Sequence, residues 1–390
     1  MNKARYLVTI IPVFLLLDSC RNPRNLTAIQ KAPALKESFK DDFLIGTAIN
    51  EYQILEKDPK SAKILSEQFN AVTPENAMKA EEIHPEWNVY HFDVTDKLIS
   101  YAKRNKMKVT GHTLVWHSQL PAFVHRMKSA DSVRMFFNSH IQTVASRYRG
   151  KIDSWDVVNE ALNEDGSMRT SIFYEKLGED YVTDAFRLAQ KFTPEARLYY
   201  NDYNIEQPAK RAGAIRLIKK IQAAGVRIDG VGIQGHWNID NLPLKNIEDA
   251  ISEFSALGLE VAFTELDISV LPTPFKSNEA DVGKKARYAA TLNPYTAGLP
   301  DSVQKKLADS YEKVFRIFLK HRDKISRVTV WGVADGVSWL NNWPIPGRTN
   351  YPLLFDREFA PKPAFYRLIN LKKKNSSNIL SDNNHAQFKQ

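Results

Sequence analysis

A chain of 390 residues with 43% hydrophobic and 25% charged residues has the composition of a soluble globular protein, long enough to bury one large core. Its formal charge of +9 suggests a nucleic-acid partner, but residues 1–19 carry +1, residues 20–41 carry +3 and residues 371–390 carry +3, so only +2 falls on residues 42–370. Basicity confined to the ends reads as solvated tails, and no nucleic-acid partner is expected.

Lys3 and Arg5 precede an apolar run, Tyr6–Leu17, followed by Asp18, Ser19 and Cys20. A short apolar run with a basic start is the pattern of a secretory signal over residues 1–19, too short to span a membrane comfortably. Cys20 is the only cysteine, so no intrachain disulfide can form. Its position after Leu17 and Ser19 resembles a bacterial lipoprotein processing site, although Asp18 departs from the usual small or apolar residue. The expectation is an exported protein, held in the cell envelope through a lipid on Cys20; the alternative is an ordinary secreted protein. Residues 20–41 mix Asn, Pro, Lys and Arg without periodicity and read as a tether.

From Asp42 to about Leu371 a short apolar strand and an amphipathic helix alternate. The spacing predicts eight strands, over Phe43–Asn50, Phe69–Asn76, Met107–Trp116, Ile152–Glu160, Arg197–Asn204, Val231–Trp237, Glu260–Ile268 and Arg327–Asp335. Between them, Asp58-Pro59 starts a helix that shows Ala62, Leu65 and Phe69 on one face. Asn246 is read as the start of another, with Ile247, Ile251 and Phe254 inward and Gly258 as its stop. A last long helix carries Val303, Leu307, Tyr311, Val314 and Phe318 at helical spacing.

Strands alternating with such helices predict an α/β fold with a parallel sheet. Polar or aromatic residues close nearly every strand: Asn76, His112, Glu160, Asn201, His236, Glu265 and Trp331. A ring of strand ends converging on one site is the logic of a (β/α)8 TIM barrel, here one catalytic domain over residues 42–371. An open doubly wound sheet would favour a glycine-rich first turn, and Asn50-Glu51-Tyr52 is not one. Ser269–Asp301 is a long Pro-, Lys- and Asn-rich loop after the seventh strand, of the kind usually functional. Residues 372–390 are polar and aperiodic and read as a disordered tail.

Two strand ends carry the chemistry. SWDVVNEA (Ser154–Ala161) ends its apolar run in Asn159 and Glu160, and VAFTELDI (Val261–Ile268) delivers Glu265. Glutamates on two strand ends are what retaining glycoside hydrolysis requires, whereas a strand-end ion pair is the bland reading of each. Asp267 lies two residues beyond Glu265 and so faces the same way. His112 and His117 are five apart with no HExxH or paired cysteines, so neither metal nor other cofactor is expected. The chain is rich in aromatics, which build the flat faces on which sugar rings stack.

TPENAMK (Thr73–Lys79), GHTLVWH (Gly111–His117), WDVVNEA (Trp155–Ala161), YNDYN (Tyr200–Asn204), GIQGHW (Gly232–Trp237), TELD (Thr264–Asp267) and the WGVAD and SW segments (Trp331–Trp339) together resemble glycoside hydrolase family 10. That family consists chiefly of retaining endo-β-1,4-xylanases. The resemblance runs in order through every strand end. It implies Glu160 as acid/base and Glu265 as nucleophile, about 5–5.5 Å apart, in surroundings that drive their pKa values apart. It implies an Asp267–His236–Glu265 chain orienting the nucleophile, where a satisfied core histidine is the bland reading of His236. Asn159 would contact the sugar 2-hydroxyl. Glu75, Asn76, Lys79, His112 and Trp116 would hold the glycone sugars, with Gln234 close to the nucleophile. Trp331 and Trp339 would supply aromatic walls; Trp343 reads equally as wall or core, and Tyr203 as a leaving-group platform or a core tyrosine. The implied partner is xylan or xylo-oligosaccharide, bound by a monomer. The rivals are another retaining β-1,4-glycanase such as a cellulase, and a catalytically dead sugar-binding surface protein. The presence of Glu160, Glu265, Asn159 and His236 together argues against the second rival.

Overall fold

The structure, a computed structural model, describes residues 33–275 and 280–373. The signal, Cys20 and residues 374–390 lie outside the described residues. Nine strands form the sheet: β1 (Leu44–Ile49), β2 (Ala71–Pro74), β3 (Lys108–Trp116), β4 (Ser154–Asn159), β5 (Arg197–Asp202), β6 (Gly230–Ile233), β7 (His236–Asn238), β8 (Glu260–Ser269) and β9 (Ile325–Val330). Every neighbouring pair is parallel, β1 pairs with both β2 and β9, and β6 pairs with β8, so the sheet closes on itself. It is a (β/α)8 barrel: β6 and β7 are two halves of the sixth stave, both laid against β8.

The sixth stave departs from the single strand expected over Val231–Trp237. Gly235 sits at φ 81°, a left-handed conformation that interrupts the ladder and that glycine adopts without steric cost. Backbone pairing continues on both sides of the break: Gln234 N donates to Asp202 O at 3.1 Å, Glu265 N to Gln234 O at 2.9 Å and Asp267 N to Gly235 O at 3.3 Å. It also turns the Gln234 side chain toward the barrel mouth, where it is used.

Strands buried on both faces explain why the apolar runs lack alternation; every residue of β4 is buried. Outside them the helices follow their sequence signals. Asp58 caps the helix Pro59–Gln68 by accepting from Lys60 N at 3.1 Å, with Pro59 in the first turn. The helix Leu244–Ser255 begins two residues before Asn246, since Pro243 stands at its start and the Asn246 side chain donates to Gln207 Oε1 at 2.9 Å instead of capping. Ile247, Ile251 and Phe254 are buried on its inner face, and Leu307, Tyr311, Val314 and Phe318 on that of Asp301–Lys320.

The stretch read as a tether is in part structural. Leu35–Ser38 forms a helical turn, and Leu35 and Phe39, four residues apart, are buried. Phe39 stacks on Phe43 at 5.4 Å and packs against Phe315 at the same centroid distance. The barrel domain therefore takes in residues from Leu35 onward. At the other end Leu368, Ile369 and Leu371 are buried, and the Lys372 ammonium pairs with Asp42.

Gly111 faces Trp155 across the β3–β4 ladder, and a Cβ there would lie 2.2 Å from the indole. Gly111→Ala should therefore cost about 1–3 kcal/mol through overpacking. A urea midpoint equal to the parent's would show that the indole has room to move.

Candidate active site

The carboxyl ends of the strands open onto a cavity of about 160 Å³ lined by both expected glutamates. Glu160 is 4% and Glu265 5% exposed. Glu160 directly follows β4 with φ 56°, a conformation that non-glycine residues adopt at a cost of about 1–3 kcal/mol and that persists only where its surroundings impose it. Two contacts do so here: Glu160 N donates to Asn201 O at 2.9 Å, and Glu160 O accepts from Arg169 Nε at 3.2 Å. Its carboxyl group accepts from Trp116 Nε1 and from Gln234 Nε2, each at 2.9 Å.

Glu265 lies within β8. Its Oε1 accepts from Asn201 Nδ2 at 2.9 Å, and Oε2 is 3.3 Å from His236 Nε2. The β7–β8 register sets His236 beside Asp267, and their ion pair measures 3.1 Å from Nδ1 to Oδ1. Asp267 Oδ2 in turn accepts from Trp339 Nε1 at 2.8 Å. Nucleophile, imidazole, carboxylate and indole thus form one chain.

The two glutamates, equally buried, are pushed in opposite directions. Burial drives the Glu160 carboxyl above its ordinary range; the Gln234 and Trp116 bonds and the Arg169 charge offset this in part, and the charge on Glu265 adds to the rise. Burial would raise Glu265 as well, but the bond from His236, the charges of His112 and His236 and the Asn201 amide hold it below the ordinary range. His236 can do this because it is a cation. Burial disfavours its charge, yet Asp267 and then Glu265 outweigh burial and push it up to about 10.

The remaining expected residues fall around the rim. Glu75 and Asn76 follow β2 and line the cavity with Lys79. The Lys79 ammonium donates to Asn76 Oδ1 at 2.9 Å and Gln119 Oε1 at 2.8 Å, and stands 4.8 Å from the Trp116 ring centroid. Burial lowers Lys79 and raises Glu75, each partly countered by the other. His112 is held by Asp156 at 2.9 Å and meets Trp331 edge-on at 5.5 Å. Asn159 Oδ1 accepts from Asn201 Nδ2 at 2.9 Å and Gln234 Nε2 at 3.3 Å. Trp331 and Trp339 are walls of the cavity. Trp343 stacks behind Trp339 at 4.7 Å and lines a smaller neighbouring pocket instead.

Tyr203, read as a leaving-group platform or a core tyrosine, is not among the side chains that line this cavity. It is 3% exposed, Lys210 Nζ sits 3.6 Å over its ring centroid, and its hydroxyl accepts from Arg169 Nη2 at 2.8 Å. An ammonium thus covers one face of its ring. The structure also brings in residues given no role from the sequence. Asn201 and Gln119 are of this kind, and so are Ala280 and Val282, which line the cavity from the long segment after β8. Only Asn201 left a signal, as a polar residue closing an apolar strand. Among the described residues no three His, Cys, Asp or Glu side chains are grouped as a metal ion would need.

A parallel barrel whose strand ends hold one carboxyl group pushed up beside one held down has the arrangement of a glycoside hydrolase working through two carboxylates. The chain belongs to glycosyl hydrolase family 10, whose pattern matches residues 34–371, and the family works with retention of configuration. It is similar to endo-1,4-beta-xylanase A of Xylanibacter ruminicola, 44% identical over 349 residues that span 88% of this chain and 94% of that protein. The beta-1,4-xylanase of Dictyoglomus thermophilum is 38% identical over 371 residues, 95% of this chain and 99% of that one. Among solved structures, a family 10 endoxylanase retrieved from sugarcane soil metagenome has a TM-score of 0.84 at 45% identity, covering 87% of this chain and 100% of its own. A mutant in complex with xylotriose has a TM-score of 0.76 at 39% identity, over 86% and 99%.

The acidic limb of kcat/KM should report ionisation of Glu265, and the basic limb loss of the Glu160 proton. His236→Asn removes the cation that holds Glu265 down, so the acidic limb should move to higher pH. An unmoved acidic limb in that variant would show that His236 does not set the charge of Glu265.

Proposed function

We propose that this protein cleaves β-1,4-xylosidic bonds within xylan in two steps, with net retention at the anomeric carbon. The observation that carries the reading is the opposite drift of two equally buried carboxyl groups in one cavity. The names of the relatives supply xylan as the substrate.

In the first step Glu160 gives its proton to the glycosidic oxygen as the C1–O bond breaks, and Glu265 forms a bond to C1. The negative charge of Glu265 disappears in that bond, which removes one of the influences that kept Glu160 protonated. Glu160, now a carboxylate, takes a proton from water as the oxygen attacks C1 and Glu265 leaves. The protons balance over the cycle. Gln234 and Trp116 can donate to Glu160 in both states, because an N–H suits a carboxyl oxygen and a carboxylate alike.

The rim residues fit a chain of sugars on the glycone side. Asn159 faces the 2-hydroxyl beside the nucleophile, where a bond that tightens in the transition state raises turnover. Glu75, Asn76, Lys79 and His112 supply polar contacts, and Trp116, Trp331 and Trp339 supply flat walls. Trp339 is pinned through its N–H to Asp267, so it presents a fixed indole that excludes a hydroxymethyl group at C5 and favours xylose over glucose. All these residues come from one chain, so a monomer suffices. The basic start, apolar run and Cys20 support export, to the cell envelope as a lipoprotein or to the medium.

Reducing-sugar release should be far greater from xylan than from cellulose. Glu265→Ala should abolish it, and azide should restore some turnover with inverted product. Glu160→Ala should lose xylan hydrolysis but still react with aryl xylobiosides whose leaving groups need no proton. Parental rates on xylan for either variant would overturn the assignment. For location, the full chain should partition into detergent and lose membrane association on Cys20→Ala; if both forms are released equally, an ordinary signal peptide is the better account.

A further inference from the structure

Arg169 lies outside the residues that line the catalytic cavity, yet it touches the acid/base more intimately than most of those that do. The chain folds back after Glu160: Leu162 and Met168 form an antiparallel bridge, and Arg169 N donates to Ala161 O at 2.7 Å. This returns the guanidinium to the strand end. There Nε donates to Glu160 O at 3.2 Å, Nη2 to Tyr203 Oη at 2.8 Å, and Nη1 pairs with Asp281 Oδ2 at 3.1 Å. One planar group with fixed donor directions thus grips three separate segments. The first grip matters most, since Glu160 is held in a left-handed conformation and its carbonyl is one of the few handles on it.

The third grip reaches into the long segment after β8. Asp281 lies between Ala280 and Val282, which among the described residues of that segment line the catalytic cavity. Asp281 Oδ1 also accepts from Gly283 N at 2.9 Å, so the carboxylate shapes its own turn while its other oxygen meets Arg169. The ion pair is mostly withdrawn from water, with side-chain exposures of 13% and 21%. Little solvent screening separates these charges from Glu160.

We propose that Arg169 is a positioning residue for the acid/base, and that Asp281, acting through it, makes the seating of the 280–283 turn part of the environment of Glu160. This rests on reading Glu160 as the acid/base. Among the described residues, the charged and titratable groups around the pair include Glu160, Asp202, Tyr203, His117 and, over the Tyr203 ring, Lys210. Glu160 itself also faces Glu265, Lys79 and Asp202. Within this set Arg169 is a cation that pulls the Glu160 carboxyl down. Asp281, held below the ordinary carboxylate range by Gly283 N–H and Arg169 against the effect of burial, is one of the anions that offset that pull, and the one paired with the guanidinium.

The two partners should therefore act with opposite sign. Arg169→Met removes the pull, so Glu160 keeps its proton longer and the basic limb of kcat/KM moves to higher pH. Asp281→Asn removes the anion paired with that cation, so the pull on Glu160 grows and the basic limb moves to lower pH. Both variants should lose about tenfold or more on xylotetraose, which needs general acid help, and much less on 2,4-dinitrophenyl xylobioside, which does not. Arg169→Lys keeps the charge without the fork, so it should restore the pH limb but not the full rate. Equal losses on both substrates with unmoved limbs would overturn the proposal and leave Arg169 a brace for the loop. Should Arg169→Met fail to fold, Asp281→Asn decides alone by the direction of its limb. Glu160→Ala, run beside them, separates the two readings: if it shows no preference for the activated substrate, the acid/base assignment is what has failed.

Discussion

Asn201 holds both glutamates at once. Its carbonyl oxygen accepts the N–H of Glu160 at 2.9 Å, and its side-chain amide donates to Glu265 Oε1 at the same distance. The amide also donates to Asn159 Oδ1, while Thr264 Oγ1 donates to Asn201 Oδ1 at 2.6 Å. The side chain is buried with both ends of its amide engaged, so rotating it would break several bonds at once. A residue of β5 thereby ties the strand end bearing one carboxyl group to the strand bearing the other. The link holds the two glutamates to one common residue, through its backbone carbonyl and its side chain.

Equal burial and opposite ionisation then follow from what kind of donor each carboxyl group meets. Glu160 meets an indole and a primary amide, neutral donors that cost little whether the group is charged or not. Glu265 meets an imidazolium, which favours the charged form strongly, and that imidazolium is itself secured by Asp267. The asymmetry lies in the partners rather than in depth. Trp339 belongs to the same device, since one face of its ring bounds the cavity while its N–H fixes Asp267.

Much of this was legible in the sequence, because both the barrel and the catalytic pair leave short-range traces. Apolar runs that stop at polar residues mark strands and their open ends, and a spacing of two sets Asp267 on the face of Glu265. The break at Gly235 leaves no such trace: GIQGHW reads as a continuous strand until the glycine is seen to turn left-handed. Leu35 and Phe39 are two apolar residues in a polar stretch, too few to show a period, and their burial depends on Phe315, nearly three hundred positions away. Tyr203 was undecidable for a related reason. What covers its ring is Lys210, and only the fold brings that ammonium to one face. Arg169 gave no signal at all, since its three partners come from three loops whose meeting the barrel alone arranges.

The ion pair between Lys372 and Asp42 has a geometric consequence. Asp42 stands just ahead of β1, at the end where strands enter the barrel, so both termini of the folded body emerge from its floor. The cleft opens at the opposite pole, where the strands leave. Asp42 and Lys372 therefore lie on the side of the barrel away from the cleft. A short linker could likewise join the two ends into a ring without crossing the path of an incoming polymer.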